Sequence, residues 1–140
     1  MKRLATEPRI TRHLPVNGRQ GADTLTGGHG NDSFVFNTVL GAGNIDTITD
    51  FNVVDDIIQL ENFIFTQASG GGGGGLGTLL AGQFRTNLTG AAQDADDRII
   101  YESDSGKLWY DSNGNAAGGN YLFADLASGL ALTNADFFIV

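Results

Sequence analysis

Residues 18–35 read GRQGADTLTGGHGNDSFV and divide into two tandem nine-residue units, Gly18–Thr26 and Gly27–Val35. The second matches the pattern G-G-x-G-x-D-x-U-x in full, U being a large apolar residue: Gly27, Gly28, Gly30, Asp32 and Phe34. The first keeps Gly18, Gly21, Asp23 and Leu25 but carries Arg19 where the second glycine belongs. Glycines let a loop bend tightly and turn its carbonyls inward. One Asp per unit adds negative charge, which suits a hard, oxygen-seeking cation. The apolar residue that follows starts a short strand that packs inward.

Two such units in phase, followed at once by the strand-like Phe34-Val35-Phe36, resemble the RTX (repeats-in-toxin) family. That family includes the C-terminal domains of serralysin-type metalloproteases and haemolysin-type calcium-binding proteins. The resemblance implies a parallel β-roll of stacked half-turns, with calcium held between neighbouring loops on one side. It implies Asp23 and Asp32 as side-chain ligands, with backbone carbonyls around Gly21, Gly28 and Gly30 completing the shell. Same-side loops in such rolls lie two repeats apart, so a complete site needs more than two units. The remaining ligands must come from downstream residues, a partner chain or water.

Two further stretches carry the likeness onward. Residues 46–51, DTITDF, resemble the segment that follows the last roll turn in serralysin C-terminal domains. This implies that Asp46 and Asp50 close the final calcium site; the other reading makes them solvent-facing strand residues. Asp136–Val140, DFFIV, resembles the uncleaved C-terminal signal of type I secretion substrates, and it also reads as a final core strand. The block 95–115, ADDRIIYESDSGKLWYDSNGN, is similar to C-terminal regions of calcium-binding RTX proteins.

Charge agrees with a cation-binding role. The chain has 140 residues and a net charge of −8. Residues 1–19 hold five basic residues and one acid, a balance of +4, so residues 20–140 carry −12. So acidic a body repels nucleic acid and anionic membranes and attracts divalent cations. There is no cysteine, which removes disulfides and thiolate metal sites. No stretch approaches the ~20 apolar residues of a membrane-spanning helix. Pro8, Arg9, Arg12 and His13 interrupt the N-terminal region, which argues against a cleaved signal peptide.

Three segments follow from composition. Residues 1–17 read as an irregular basic leader, residues 18–36 as the repeat region, and residues 37–140 as a β-rich capping and secretion-signal region. The fold class is all-β: a short parallel roll joined to an antiparallel, sandwich-like body, the two forming one structural domain. Strands are expected over Ser33–Asn37, Ile45–Phe51, Ile57–Leu60 and 120–126. RIIYE (98–102) and KLWYD (107–111) flank a turn at Ser103–Gly106 and read as a hairpin. The glycine run at 69–77 reads as the floppiest segment. Thr133 and Asn134 are placed to cap a short turn before Asp136.

Other acidic groups are weaker sites. Asp55 and Asp56 read as turn caps, and Asp94, Asp96 and Asp97 as a solvated loop or a weak cation site. Asp111, Asn113 and Asn115 have the opening spacing of an EF-hand loop, but Ala116 and Leu122 stand where Gly and Glu are needed. His29 falls at a variable, solvent-facing repeat position. With two histidines and no H-E-x-x-H or G-x-S-x-G, the sequence offers neither a catalytic zinc motif nor a charge-relay base.

The reading is therefore a non-enzymatic, calcium-binding RTX module. It is expected to be secreted by the type I route, to fold on calcium binding outside the cell and to cap a β-roll. The module would serve as folding nucleus and export handle for an upstream catalytic or toxin domain, and a homo-oligomer of two stacked half-rolls would make good the shortage of repeats. The rival is an extracellular interaction or adhesion module with vestigial repeats, in which exposed Trp109, Tyr110 and Tyr121 bind glycan or protein.

Overall fold

The computed structural model describes residues 14–140, and these are all-β. The first five strands are β1 (Leu14–Val16), β2 (Thr24–Leu25), β3 (Asp32–Phe36), β4 (Asp46–Ile48) and β5 (Ile57–Leu60). They alternate between two sheets. Strands β1, β3 and β5 lie side by side and parallel in one, and β2 and β4 lie side by side and parallel in the other.

One short sequence element builds this alternation: an Asp, any residue, then a large apolar residue. It occurs as Asp23/Leu25, Asp32/Phe34, Asp46/Ile48 and Asp56/Ile58. The apolar member is buried each time, and the members stack in register, Leu25 against Ile48 and Phe34 against Ile58. Each such burial stabilises by about 1.5–3 kcal/mol. β1 continues the register with Val16 beside Phe34 and Leu14 beside Asp32. Leu14–Val16, expected as part of an irregular leader through residue 17, instead form β1 and pair with β3; residues 1–13 lie outside the described residues. Pro15 is tolerated because, among the described residues, β1 is an outer strand with no second neighbour for an N–H to serve.

The later strands are β6 (Gly77–Thr78), β7 (Phe84–Asn87), β8 (Ile99–Glu102), β9 (Lys107–Asp111), β10 (Asn120–Asp125) and β11 (Phe137–Ile139). They extend the same two sheets, in the orders β1-β3-β5-β11-β6 and β2-β4-β10-β9-β8-β7. The hairpin β8–β9 forms as its sequence suggests, with Ile99 opposite Tyr110 and Glu102 opposite Lys107. Gly106 turns it with φ 89°, and a Cβ there would stand 1.9 Å from the Leu126 carbonyl oxygen.

A purely antiparallel body is not what forms. Strands β8, β9 and β10 are antiparallel, as are β6 and β11, but β7 runs parallel to β8, β10 to β4 and β11 to β5. Parallel neighbours need long connections, and the stretches 49–119 and 61–136 supply them. Within the glycine run, backbone groups pair with one another. Gly70 N–H donates to the Gly75 carbonyl at 2.6 Å, Gly71 N–H to that of Thr78 at 2.8 Å and Gly72 N–H to that of Leu76 at 2.7 Å. Gly70 has no room for a side chain, since a Cβ would meet the Gly77 carbonyl at 2.4 Å.

Between the sheets lies one apolar cluster spanning early and late segments. Phe36 meets Phe123 edge-on at 5.3 Å, and Phe65 bridges Phe123 at 5.0 Å and Tyr110 at 5.2 Å. Tyr101 is buried, donates its hydroxyl to the Ala127 carbonyl at 2.5 Å and accepts from Leu130 N–H at 3.1 Å. Among the described residues no helix is long and apolar enough to cross a membrane.

Candidate metal centre

Because β1 to β5 alternate between sheets, their connecting loops fall into two pairs, one at each side of the stack. Loop 17–23 pairs with loop 37–45, and loop 26–31 with loop 49–56. The first pair brings together Gly21, Asp23 and Asp46. The second brings together Gly28, Gly30, Asp32 and Asp50. The seven residues singled out from sequence thus form two groups, not one shell.

In the first pair, Asp46 Oδ1 accepts from the backbone N–H of Asp23 at 2.9 Å. Asn44 Oδ1 accepts from Gly21 N–H at 2.6 Å, and the Asp23 carbonyl accepts from Thr47 N–H at 2.8 Å. Asp23 Oδ2 is buried and has no hydrogen-bond partner among the described residues. It lies against Gly18, where a Cβ would come within 2.6 Å of it. The glycine that opens the repeat is therefore needed to leave room for that repeat's own carboxylate. The same relation recurs in the second unit, where a Cβ on Gly27 would stand 2.4 Å from Asp32 Oδ2.

In the second pair, Asp56 takes the part of Asp46. Its Oδ1 accepts from Asp32 N–H at 3.0 Å and its Oδ2 from Asn52 N–H at 2.9 Å. Asp50 grips the start of the second repeat, accepting from Gly27 N–H at 3.0 Å and Gly28 N–H at 2.8 Å. It is thus half-buried and bonded, not a free strand residue in solvent. Gly28, His29, Gly30, Asp50, Asn52 and Asp55 line an open cleft of about 330 Å³ beside it.

Electrostatics follow from this stacking. Burial pushes the Asp46 carboxyl up to about 6; the Asp23 N–H works against that rise, while the nearby Asp23 charge adds to it. Burial likewise raises Asp56, against hydrogen bonds from Asn52 and Asp32 and with the help of the Asp50 and Asp55 charges. Carboxylates held out of water beside one another favour either a proton or a cation. The donors are all oxygen, which suits a hard divalent ion. With a buried carboxylate oxygen to spare at Asp23 and a cradle that a Cβ at Gly18 would fill, these residues fit calcium.

Asp56 is the functional candidate that the sequence reading missed as a ladder member. It does cap the turn from Asn52, and it also reaches back to the preceding coil. Its signal was the Asp-x-apolar element, which survives at Asp46 and Asp56 after most of the glycines have gone.

The other acidic groups are accounted for locally. Asp97 is buried, and its Oδ2 accepts from Arg85 Nε at 2.5 Å and from the N–H groups of Gln93 at 2.8 Å and Asp94 at 2.9 Å. Burial alone would raise its carboxyl, but these bonds and the guanidinium hold it below the usual range. Arg85 also pairs with Asp94. The Arg85 guanidinium thus occupies two of the three acids in the cluster of Asp94, Asp96 and Asp97. Asp111 accepts from Asn113 N–H at 3.1 Å in a local turn. Asp136 is buried and accepts from Thr133 N–H at 2.8 Å, completing the cap before β11.

The three aromatics of the rival reading do not form an exposed set. Tyr110 is buried, its hydroxyl accepting from Gln67 N–H at 2.9 Å. Trp109 is half-buried, with Nε1 donating to Glu102 Oε1 at 3.0 Å, and Tyr121 alone is exposed. Strand alternation is the reason: Trp109 and Tyr110 are consecutive and face opposite ways. Comparison of the chain with known protein families, with characterised proteins and with solved structures finds no match to any of them.

Proposed function

We propose that the chain is a calcium-binding RTX module whose strands β1 to β5 form a short parallel β-roll and whose remaining strands cap it. The observation that carries this reading is the carboxylate ladder. Asp46 bonds to the backbone of Asp23 and Asp56 to that of Asp32, each one coil earlier, and Asp23 Oδ2 stays buried without a partner. Asp23 and Asp46, with carbonyls near Gly21, would hold one ion; Asp32, Asp50 and Asp56, with carbonyls near Gly28 and Gly30, would hold another. Bound calcium would supply the positive charge that lets these carboxylates stay ionised inside the fold.

On this reading the chain's own part is to keep itself loose without the ion and to close with it. Like charges on the Asp residues oppose stacking of the coils, so binding free energy becomes folding free energy. That coupling suits a protein exported unfolded by the type I route, with Asp136–Val140 read by the export apparatus, and folded only outside the cell. Strands β1 and β2 are outer strands, the places where a preceding coil or a second copy would stack. The role is binding and folding, not catalysis.

The test is a calcium titration of the metal-stripped chain, followed by far-UV circular dichroism and calorimetry, with Asp23→Ala and Asp46→Ala in parallel. Saturable binding with a gain of β signal, lost in the variants, supports the reading. A chain that is fully folded without calcium and indifferent to it sinks the reading.

A further inference from the structure

Beside loop 37–45, the surface carries a hollow of about 390 Å³ lined by Val39, Phe63, Ile64, Thr66, Ser112 and Tyr121, with Tyr110 behind them. A second hollow, of about 230 Å³, shares Tyr121 and takes in Ile45, Asn120 and Leu122. The large side chains here stand unusually free: Phe63 is 82% exposed, Val39 61% and Tyr121 44%.

The two hollows contain no ionisable carboxylate and no basic group. That is notable in a region, residues 20–140, with fifteen acidic and three basic residues. The tyrosines are fixed in place. Tyr121 lies opposite Tyr110 across β9 and β10, and their rings stack at 6.5 Å and 22°. Tyr110 is anchored by Phe65 on one side and by the Gln67 N–H at its hydroxyl.

We propose that this face binds a neutral carbohydrate. An aromatic ring held by a buried partner offers a flat apolar surface to the C–H face of a sugar and loses little freedom on binding. Thr66, Ser112 and Asn120 supply hydroxyl and amide groups for sugar hydroxyls. Ser112 donates its own proton to the Gly119 carbonyl at 3.3 Å and so meets a ligand as an acceptor. The neutral lining offers no counter-charge to an acidic sugar or a charged peptide. A hollow of this size is in the range of small-ligand sites, which begins near about 300 Å³. The face borders loop 37–45 of the proposed first calcium site, so calcium is kept saturating in its test.

The experiment is a titration of the full chain, in saturating calcium, with cellohexaose, maltohexaose and chitohexaose, read by NMR of the tyrosine and phenylalanine rings. At least one of these neutral oligosaccharides is expected to shift the Tyr121 and Phe63 resonances saturably. Tyr121→Ala and Phe63→Ala should each weaken binding about tenfold, the loss of one good aromatic contact, with the melting temperature unchanged. Oligogalacturonate, the acidic control, should bind about tenfold more weakly than the best neutral sugar. Failure of all three sugars to saturate, or equal binding by both variants, overturns the proposal. So does a concentration-dependent dimer abolished by Phe63→Ala, which would give the face to a second copy of the chain.

Discussion

Arg19 holds the left-handed backbone conformation, φ 64°, that Gly28 holds at φ 85° nine residues later. Gly21 and Gly30 match in the same way, at φ 98° and 94°. The first repeat therefore keeps the backbone path of the second although it has lost a glycine. The loss costs energy without changing the shape.

Replacing that arginine should recover the cost. A side chain in the left-handed region is disfavoured by ~1–2 kcal/mol, and glycine gives part of this back through its freer unfolded chain. Arg19→Gly is expected to stabilise by about 0.5–1 kcal/mol in urea unfolding. Gly28→Ala should destabilise by about 1 kcal/mol for the same reason.

Gly18→Ala separates room from conformation. Gly18 is not among the glycines with positive φ, so alanine fits its backbone, but the added Cβ would press on Asp23 Oδ2 at 2.6 Å. On the proposed reading, calcium affinity should fall about tenfold or more, a loss of ~1.4 kcal/mol, with the metal-free circular dichroism spectrum unaltered. Unchanged affinity by calorimetry would remove Asp23 from the ligand set.

The metal-free chain should lose stability as pH rises. The Asp46 carboxyl is raised from 3.8 to about 6 by burial, so folding favours its protonated form. The stabilisation is full below about pH 4 and is lost as pH climbs through about 6. At 1.36 kcal/mol per unit, the swing is about 2–3 kcal/mol at most. Melting temperatures between pH 4 and 7 in metal-free buffer should therefore decline, and Asp46→Asn should flatten the decline. A slope that survives in Asp46→Asn would assign it to Asp56 and Asp136, whose carboxyls burial also raises.

Arg85 makes the cluster of acids at 94–97 a structural device. Asp97→Ala would leave the N–H groups of Gln93 and Asp94 and the Arg85 guanidinium without their shared acceptor. The expected cost is about 2–4 kcal/mol in chemical unfolding. Asp96→Asn, at an exposed position, should change neither stability nor the number of calcium ions bound. A drop in stoichiometry would show a cation held there.

What the sequence disclosed was local. The hairpin of β8 and β9 was legible because Gly106 and two alternating runs lie within fourteen residues, 98–111. The cap at Thr133 was legible as a turn just before Asp136, whereas the answering bond from the Thr133 N–H to Asp136 shows only in the fold. The two tandem repeats, one full and one lacking a glycine at Arg19, were legible from their glycines. The third and fourth Asp-x-apolar elements were hidden because Asn44, Asn52 and Val54 replace glycine, and only stacking shows that Asp46 and Asp56 hold equivalent places. Strand β1 was masked by Pro15 and a basic neighbourhood. The parallel contacts of β4 with β10 and β5 with β11 left no local mark, since each depends on residues some eighty positions apart, such as Asp46 with Ala124.

Those two parallel contacts bear on how the molecule can be taken apart. In a solenoid, each repeat touches only its neighbours, so units can be added or removed with modest effect. Here each sheet is continuous from the repeats into later strands, and Val140 reaches back to Leu60 and Asn62. Residues 18–36 are therefore not a portable cassette. Grafted elsewhere, they would carry the glycines and two carboxylates but leave behind Asn44, Asp46, Asp50 and Asp56. The heritable unit is the whole described chain, and an engineer seeking a transplantable switch must move it entire.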